Sequence, residues 1–243
     1  MAISIDLSGK IAAVTGGSGG IGAATVALLR EAGAECLVLD IPKPGTLAKD
    51  VYRVTDVTNE RLVDQVFADI VAEFGGIDIL VNCAGITINA YALKMTIEQW
   101  GKVIAVNQTG TFLCMRAAGR AMKAQGAERG GCIINLSSIG REGNPGQIGY
   151  VASKGAVSAM TTAAGEELAG FGIRVNAIAP GPVDTEMLAT VPEELKLAMV
   201  ANAAIKKLAT PQDIANAILF LASPLASHIT GETITVSGGL HMP

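Results

Sequence analysis

The stretch "IAAVTGGSGGIGAAT", residues 11 to 25, runs from an apolar segment through a turn with five glycines into a helix-forming sequence. Two incompatible patterns lie in that turn. Gly16, Ser18 and Gly20 spell G-x-S-x-G, the strand-to-helix elbow that presents a nucleophilic serine in one class of hydrolases. Gly17, Gly19 and Gly22 spell G-x-G-x-x-G, in which bare backbone approaches a pyrophosphate at a helix N-terminus. A hydrolase elbow follows several strands and is served by a later histidine. Here one strand precedes Ser18, and the two histidines, His228 and His241, lie near the C-terminal end. A phosphate loop of the NTPase type needs Lys after its last glycine, where this chain has Ala23. The dinucleotide reading needs a strand before, a helix after and an acidic residue about 20 positions on. "IAAVT" 11–15 is the strand, the helical pattern after Gly20 closes at Gly33, and Asp40 ends the next apolar run. A tight turn in an unrelated α/β protein is the alternative this stretch leaves open.

Working outward, short apolar runs alternate with helical patterns: "CLVLD" 36–40, "VYRVT" 51–55, "IDILVN" 77–82, "CIINLSS" 132–138, "IRVNAIAPG" 173–181 and "TITVSGG" 233–239. That alternation predicts a doubly wound α/β fold, a parallel sheet of about seven strands with helices on both faces. Leu62, Val63, Val66, Phe67, Ile70 and Val71 recur at helical spacing and stop at Gly75 and Gly76. Thr96 with Gln99 reads as a capping box opening a long helix, and Thr210-Pro211 with Asp213 opens another. Between Asp40 and Asp56 two prolines and a glycine leave little room for a helix, so that crossover is expected to be a loop.

The 243 residues suit one domain, 1–243, large enough to bury a core unaided. Only 16% are charged, against roughly 25% in an average soluble domain, and Ala- and Met-rich stretches at 115–125 and 152–164 add to the expectation of packing between subunits. Asn216, Ser223 and Pro224 interrupt the longest apolar candidate, so no membrane span is expected. Cys36, Cys83, Cys114 and Cys132 sit among apolar neighbours without C-x-x-C spacing. Reduced thiols, a cytoplasmic location and no metal site are the expectations. A net charge of -4 without a run of Lys or Arg argues against nucleic acid as a partner.

A second constellation lies in "YVASK". Tyr150 and Lys154 are four apart and share one face of a helix that begins just after "CIINLSS", at the end of the sheet where a cofactor crevice opens. A phenol titrates near ~10 and is a poor base at neutral pH unless positive charge favours phenolate. Lys154 supplies such a charge, and a serine hydroxyl nearby orients a carbonyl or alcohol oxygen. The chemistry is acid/base assistance to hydride transfer.

Together these residues resemble the short-chain dehydrogenase/reductase family over essentially the whole chain. The family's T-G-x-x-x-G-x-G is matched by Thr15, Gly16, Gly20 and Gly22, with Ile21 inside it, and its N-N-A-G by Asn82, Cys83, Ala84 and Gly85, a cysteine standing for the second asparagine. The resemblance implies that Asp56 and Val57 border the adenine, that Asn107 completes the active site through a water-linked relay, and that Pro180, Gly181, Val183 and Thr185 meet the nicotinamide amide. It also implies Tyr150 as acid/base, Lys154 as its partner and ribose holder, a small alcohol or ketone substrate, and a homotetramer. Segments such as "GITINAYALKMTIEQW" and "ITGETITVSGG" are closest to 3-oxoacyl-carrier-protein reductases. Those usually prefer NADPH and carry a cation in the glycine turn and another for carrier docking, where this chain has Gly19 and Phe171. The short segment after Asp40 is similar to that of dihydrodiol-type dehydrogenases. Asp40 itself, a carboxylate that accepts ribose hydroxyls and repels a 2′-phosphate, predicts NAD. A nucleotide sensor without catalysis is a further alternative, against which the intact Tyr150, Lys154 and Asn107 speak.

Two serines compete for the remaining catalytic place. Family spacing to the tyrosine selects Ser137, whereas aligning the strand selects Ser138 and places a one-residue deletion in the loop that follows. Side chains alternate between sheet faces, so a register slip would turn the hydroxyl away, and Ser138 is the expectation.

Overall fold

The computed structural model describes residues 4–41, 51–189 and 191–240. Seven strands form one sheet in the order β3-β2-β1-β4-β5-β6-β7: β1 Ile11–Thr15, β2 Glu35–Asp40, β3 Tyr52–Val54, β4 Ile79–Asn82, β5 Gly131–Leu136, β6 Ile173–Pro180 and β7 Thr233–Val236. Every pairing is parallel. The central strands are largely apolar because both of their faces are covered, with Asn135, Arg174 and Asn176 as polar members inside β5 and β6. Val14, Val38, Val81 and Ile134 stand in register across four strands and face α1 (Gly20–Glu31) and α8 (Pro211–Ala222). Ala13, Leu37, Leu80 and Ile133, one residue earlier, face the opposite layer, built from α2 (Glu60–Phe74), α4 (Thr111–Ala124) and α5 (Ile148–Ala169).

The helix ends follow from local chemistry. Asn59 caps α2 by accepting the Leu62 N–H, and Gly75 closes it in the left-handed conformation. Thr96 forms a capping box with Gln99 at the start of α3 (Ile97–Ile104), and Thr210 forms one with Asp213 at α8. The helix opened by Thr96 is not continuous, however. A π-helical turn at Ala105–Gly110 separates α3 from α4 and carries Asn107, the kind of interruption often found at functional sites. Two short helices, α6 (Glu186–Ala189) and α7 (Glu193–Asn202), follow β6.

One sequence expectation needs adjustment. Met115, Ala117, Ala118 and Met122 are buried within the chain itself, so the composition of 115–125 reflects core packing rather than subunit contact; Phe112 is the exposed apolar residue of α4. The segment 42–50, expected to be a loop, lies outside the described residues. Among the described residues no helix is long and apolar enough to cross a membrane. Burial pushes the thiols of Cys36, Cys83 and Cys114 up to about 12 and that of Cys132 to about 11.

The strand order places β1 between β2 and β4, so the chain leaves the sheet centre in opposite directions. A crevice opens at such a switch point, outside the C-terminal ends of β1 and β4. The glycine turn and the segment Asn82–Gly85 both lie there.

Candidate active site

Backbone geometry at the glycine turn decides which glycines matter. Gly16 has φ +63 and would place a Cβ 2.9 Å from the backbone of Ala84. A Cβ on Gly22 would collide with the carbonyl oxygen of Gly16. Gly19, by contrast, is extended (φ -155) and caps α1 without any side-chain bond. Gly17 is constrained as well, since a Cβ there would fall 2.9 Å from the Val14 carbonyl oxygen, and Gly20 has φ +50, so the backbone favours glycine at 16, 17, 20 and 22. The turn leaves the N–H groups at the head of α1 uncapped by side chains. Ile21 follows, its carbonyl accepting from the Thr25 hydroxyl.

At the end of β2, Asp40 turns back onto this turn. Its Oδ2 accepts the Ser18 N–H at 3.0 Å and its Oδ1 the Ile41 N–H at 2.8 Å. Asp56 accepts the N–H and hydroxyl of Thr58 at 2.9 and 2.7 Å, which fixes the turn into α2. Beside it, Val57 is buried against Gly110 of the π-helical turn.

On the other side of the crevice, Asn82 donates to the Asn135 side chain at 2.9 Å, and Asn135 donates in turn to Thr161. The Ala84 N–H bonds to the Thr15 hydroxyl, closing β4 onto β1. Gly85 brings backbone against two further groups: a Cβ there would lie 3.4 Å from Asn107 Oδ1 and 3.5 Å from Lys154 Nζ. Gly181 bonds to the Val236 carbonyl and leaves no room for a side chain against Ser237. Pro180 ends β6, Val183 is buried and bridges to Ala209, and the Thr185 methyl reaches over the glycine turn to within 3.4 Å of a Cβ position on Gly20.

Ser138, Tyr150 and Lys154 converge where β5 meets α5. Backbone remains extended through Ser138, whose hydroxyl accepts the Gly140 N–H at 3.0 Å and stands beside the Tyr150 phenol. The Ser137 hydroxyl points the other way, donating to the Lys154 carbonyl at 3.0 Å and pairing with Ser158 at 2.8 Å. Lys154 is buried; its ammonium donates to the Leu136 carbonyl at 2.5 Å and lies 5.7 Å from the Tyr150 ring centroid. Burial lowers its pKa to about 8, an effect the neighbouring Cys83 thiol partly opposes.

Two features add to the sequence reading. Burial raises the Tyr150 pKa, and the group working against burial is the Ser138 hydroxyl rather than Lys154, so the protein by itself keeps the phenol protonated at neutral pH. The Asn107 side chain is a clamp: Oδ1 accepts the Ile86 N–H at 2.8 Å, while Nδ2 donates to the Ile86 carbonyl and to Ser153 Oγ. Its own carbonyl accepts the Thr111 hydroxyl. Ser153 and the Leu136 carbonyl are members of the site that the sequence reading missed. A backbone acceptor carries no signature in sequence, and Ser153 is one small residue inside a helix.

The family model described as Enoyl-(Acyl carrier protein) reductase matches residues 16–241. The chain is 39% identical to a 3-oxoacyl-[acyl-carrier-protein] reductase FabG of Vibrio cholerae, over 98% of this chain and 100% of that protein. The chain belongs to the short-chain dehydrogenase/reductase family. As such it is an oxidoreductase of CH–OH groups that works with a nicotinamide cofactor. It is equally 39% identical to a cis-4-hydroxycyclohexanecarboxylate dehydrogenase of Sinomonas cyclohexanicum, covering 95% of this chain and 96% of that one. Among solved structures, gox2181 superposes with a TM-score of 0.90 at 33% identity, covering 97% of this chain and 96% of that one. A 3-oxoacyl-[acyl-carrier protein] reductase from Brucella melitensis gives 0.88 at 30%, covering 97% and 92%.

Proposed function

We propose that this short-chain dehydrogenase/reductase is NAD(H)-dependent, interconverts a secondary alcohol and a ketone, and uses Tyr150 as its acid/base. The observation that carries the reading is the meeting of the Ser138 and Tyr150 hydroxyls beside buried Lys154, at the crevice whose far edge holds Asp40.

The residues fit a dinucleotide: Gly16, Gly17 and Gly22 leave no room for a Cβ, the head of α1 is uncapped, and the buried Ser18 hydroxyl has no partner among the described residues. When bound, the nicotinamide supplies or accepts the hydride. Ser138 holds the substrate oxygen, and Tyr150, protonated at neutral pH, delivers a proton to it in the reductive direction. Lys154 places a positive charge beneath the phenol, is positioned to hold the ribose, and is itself fixed by the Leu136 carbonyl. Asn107 clamps Ile86, and through it the segment that follows Gly85. Asp40 sets the cofactor choice, since its carboxylate accepts ribose hydroxyls and repels a 2′-phosphate. Neither Ile41 nor Gly19 places a cation beside it.

A second reading, a carrier-linked 3-oxoacyl substrate, draws support from Lys123. Its ammonium lies 4.1 Å over the Phe171 ring and returns a positive charge to the spot where the sequence alone places none. Turnover of free ketones, cyclic alcohols and carrier-linked 3-oxoacyl thioesters with all four nicotinamide cofactors separates the two. The proposal expects a free secondary alcohol or ketone to turn over with NAD(H); activity confined to the carrier-linked substrate would replace it with the second reading.

A further inference from the structure

Beneath the glycine turn, two hydroxyls have no hydrogen-bond partner among the described residues. The oxygens of Ser18 and Tyr52 are both buried, and neither makes a hydrogen bond. Leaving such groups unpaired costs about 1–3 kcal/mol each, so a fold that keeps two of them together has a reason to. Tyr52 opens β3 in register with Val38, whose side chain packs where a Cβ on Gly17 would stand, and its ring lies on the α1 side of the sheet. Its hydroxyl faces that of Ser18 without reaching hydrogen-bond geometry and also senses the charge of Asp40. Asp40 in turn holds the Ser18 N–H. The three side chains therefore meet under the turn, beside the end of β2 and the start of β3.

Their chemistry is complementary to a vicinal diol. Asp40 offers only acceptors, and Tyr52 and Ser18 offer hydroxyl donors. A ribose hydroxyl that donates to Asp40 still has lone pairs to fill. Ser18 is only half-buried as a residue. Once Tyr52 donates to Ser18 Oγ, the serine proton is left for the ligand. We propose that Tyr52 is a positioning residue for recognition of the adenosine ribose, acting through Ser18 to complete, with Asp40, a site that reads the ribose hydroxyls. The inference rests on the NAD(H) reading above and extends it to a residue pair outside the glycine positions and the carboxylate.

Calorimetric titration of the full chain with 5′-AMP, 2′,3′-dideoxy-AMP and adenosine 2′,5′-bisphosphate tests this without catalysis. The unmodified chain should bind 5′-AMP more tightly than either analogue. Tyr52→Phe should weaken 5′-AMP about fivefold, the scale of one neutral hydrogen bond, and leave the dideoxy nucleotide unchanged. Ser18→Ala should do the same, and the double variant should lose little more than either single one. Equal weakening of both nucleotides, which is what mere support of the turn would give, overturns the proposal, as does unchanged binding of 5′-AMP. If the unmodified chain prefers the bisphosphate, the NAD(H) reading itself fails and the proposal falls with it. A preference for 5′-AMP with Tyr52→Phe unaffected leaves that reading standing and refutes only the role of Tyr52.

Discussion

Replacing the two adjacent serines one at a time separates catalysis from packing. Ser137 Oγ makes two bonds to α5, to the Lys154 carbonyl at 3.0 Å and to Ser158 at 2.8 Å, and the residue is buried. At about 1 kcal/mol for each neutral hydrogen bond, Ser137→Ala should cost about 2 kcal/mol of stability. In a chain of this size that lowers Tm by roughly 4–8 °C, while kcat stays within about twofold. Ser138 Oγ accepts one N–H, from Gly140, and stands beside the Tyr150 phenol. Ser138→Ala should lower Tm less, but it removes a donor aimed at the reacting oxygen, a loss of about 3–4 kcal/mol of transition-state stabilisation, or a 10²–10³-fold fall in kcat. Steady-state kinetics and thermal melts on the same samples give both numbers. A collapse of kcat in Ser137→Ala with Ser138→Ala near normal would refute the register on which the site is built.

Asp40→Ala should erode the preference for NADH over NADPH by at least about tenfold, the equivalent of 1.4 kcal/mol, measured as the ratio of kcat/KM values; an unmodified enzyme already faster with NADPH at equal low concentration would show the inference wrong. Lys154 supplies a pH test. Its pKa falls from 10.5 to about 8 on folding because burial disfavours the charge, so between those values the unfolded chain binds more protons and stability rises with pH, while below about 8 the full cost of burying the ammonium is present. Relative to Lys154→Met, the wild-type Tm should climb from pH 8 to pH 10, and a flat difference across that window would contradict the burial. Light scattering at micromolar concentration should give the mass of a homotetramer, as the 16% charge content and family membership suggest; a monomer peak would reject it.

Much of this was legible in sequence because the physics is local. The inner strands are largely apolar because both faces are covered, the edge strands β3 and β7 are shorter and less buried but lie within runs bounded by turn residues, and Thr96, Thr210 and Gly75 announce helix ends through their own bonding. The meeting of Asp40 with the glycine turn follows from parallel strand order, which alternation of strand and helix already implies. What stayed hidden depends on packing. "VIAVNQTG" keeps a helical pattern, and nothing in it signals the π-helical turn that sets Asn107 against Ile86. The Met- and Ala-rich face of α4 looks the same whether a sheet or another subunit covers it. The state of Tyr150 is set by burial and by Ser138, which spacing alone cannot weigh against Lys154.

The central claim, that Tyr150 is the acid/base of an alcohol–ketone interconversion, is tested most directly by Tyr150→Phe. With any ketone the enzyme accepts, kcat should fall at least about a hundredfold, while NADH, titrated by fluorescence, binds as it does to the unmodified protein, because the phenol oxygen acts on substrate and the glycine turn and Asp40 are untouched. Near-normal turnover in that variant would contradict the account.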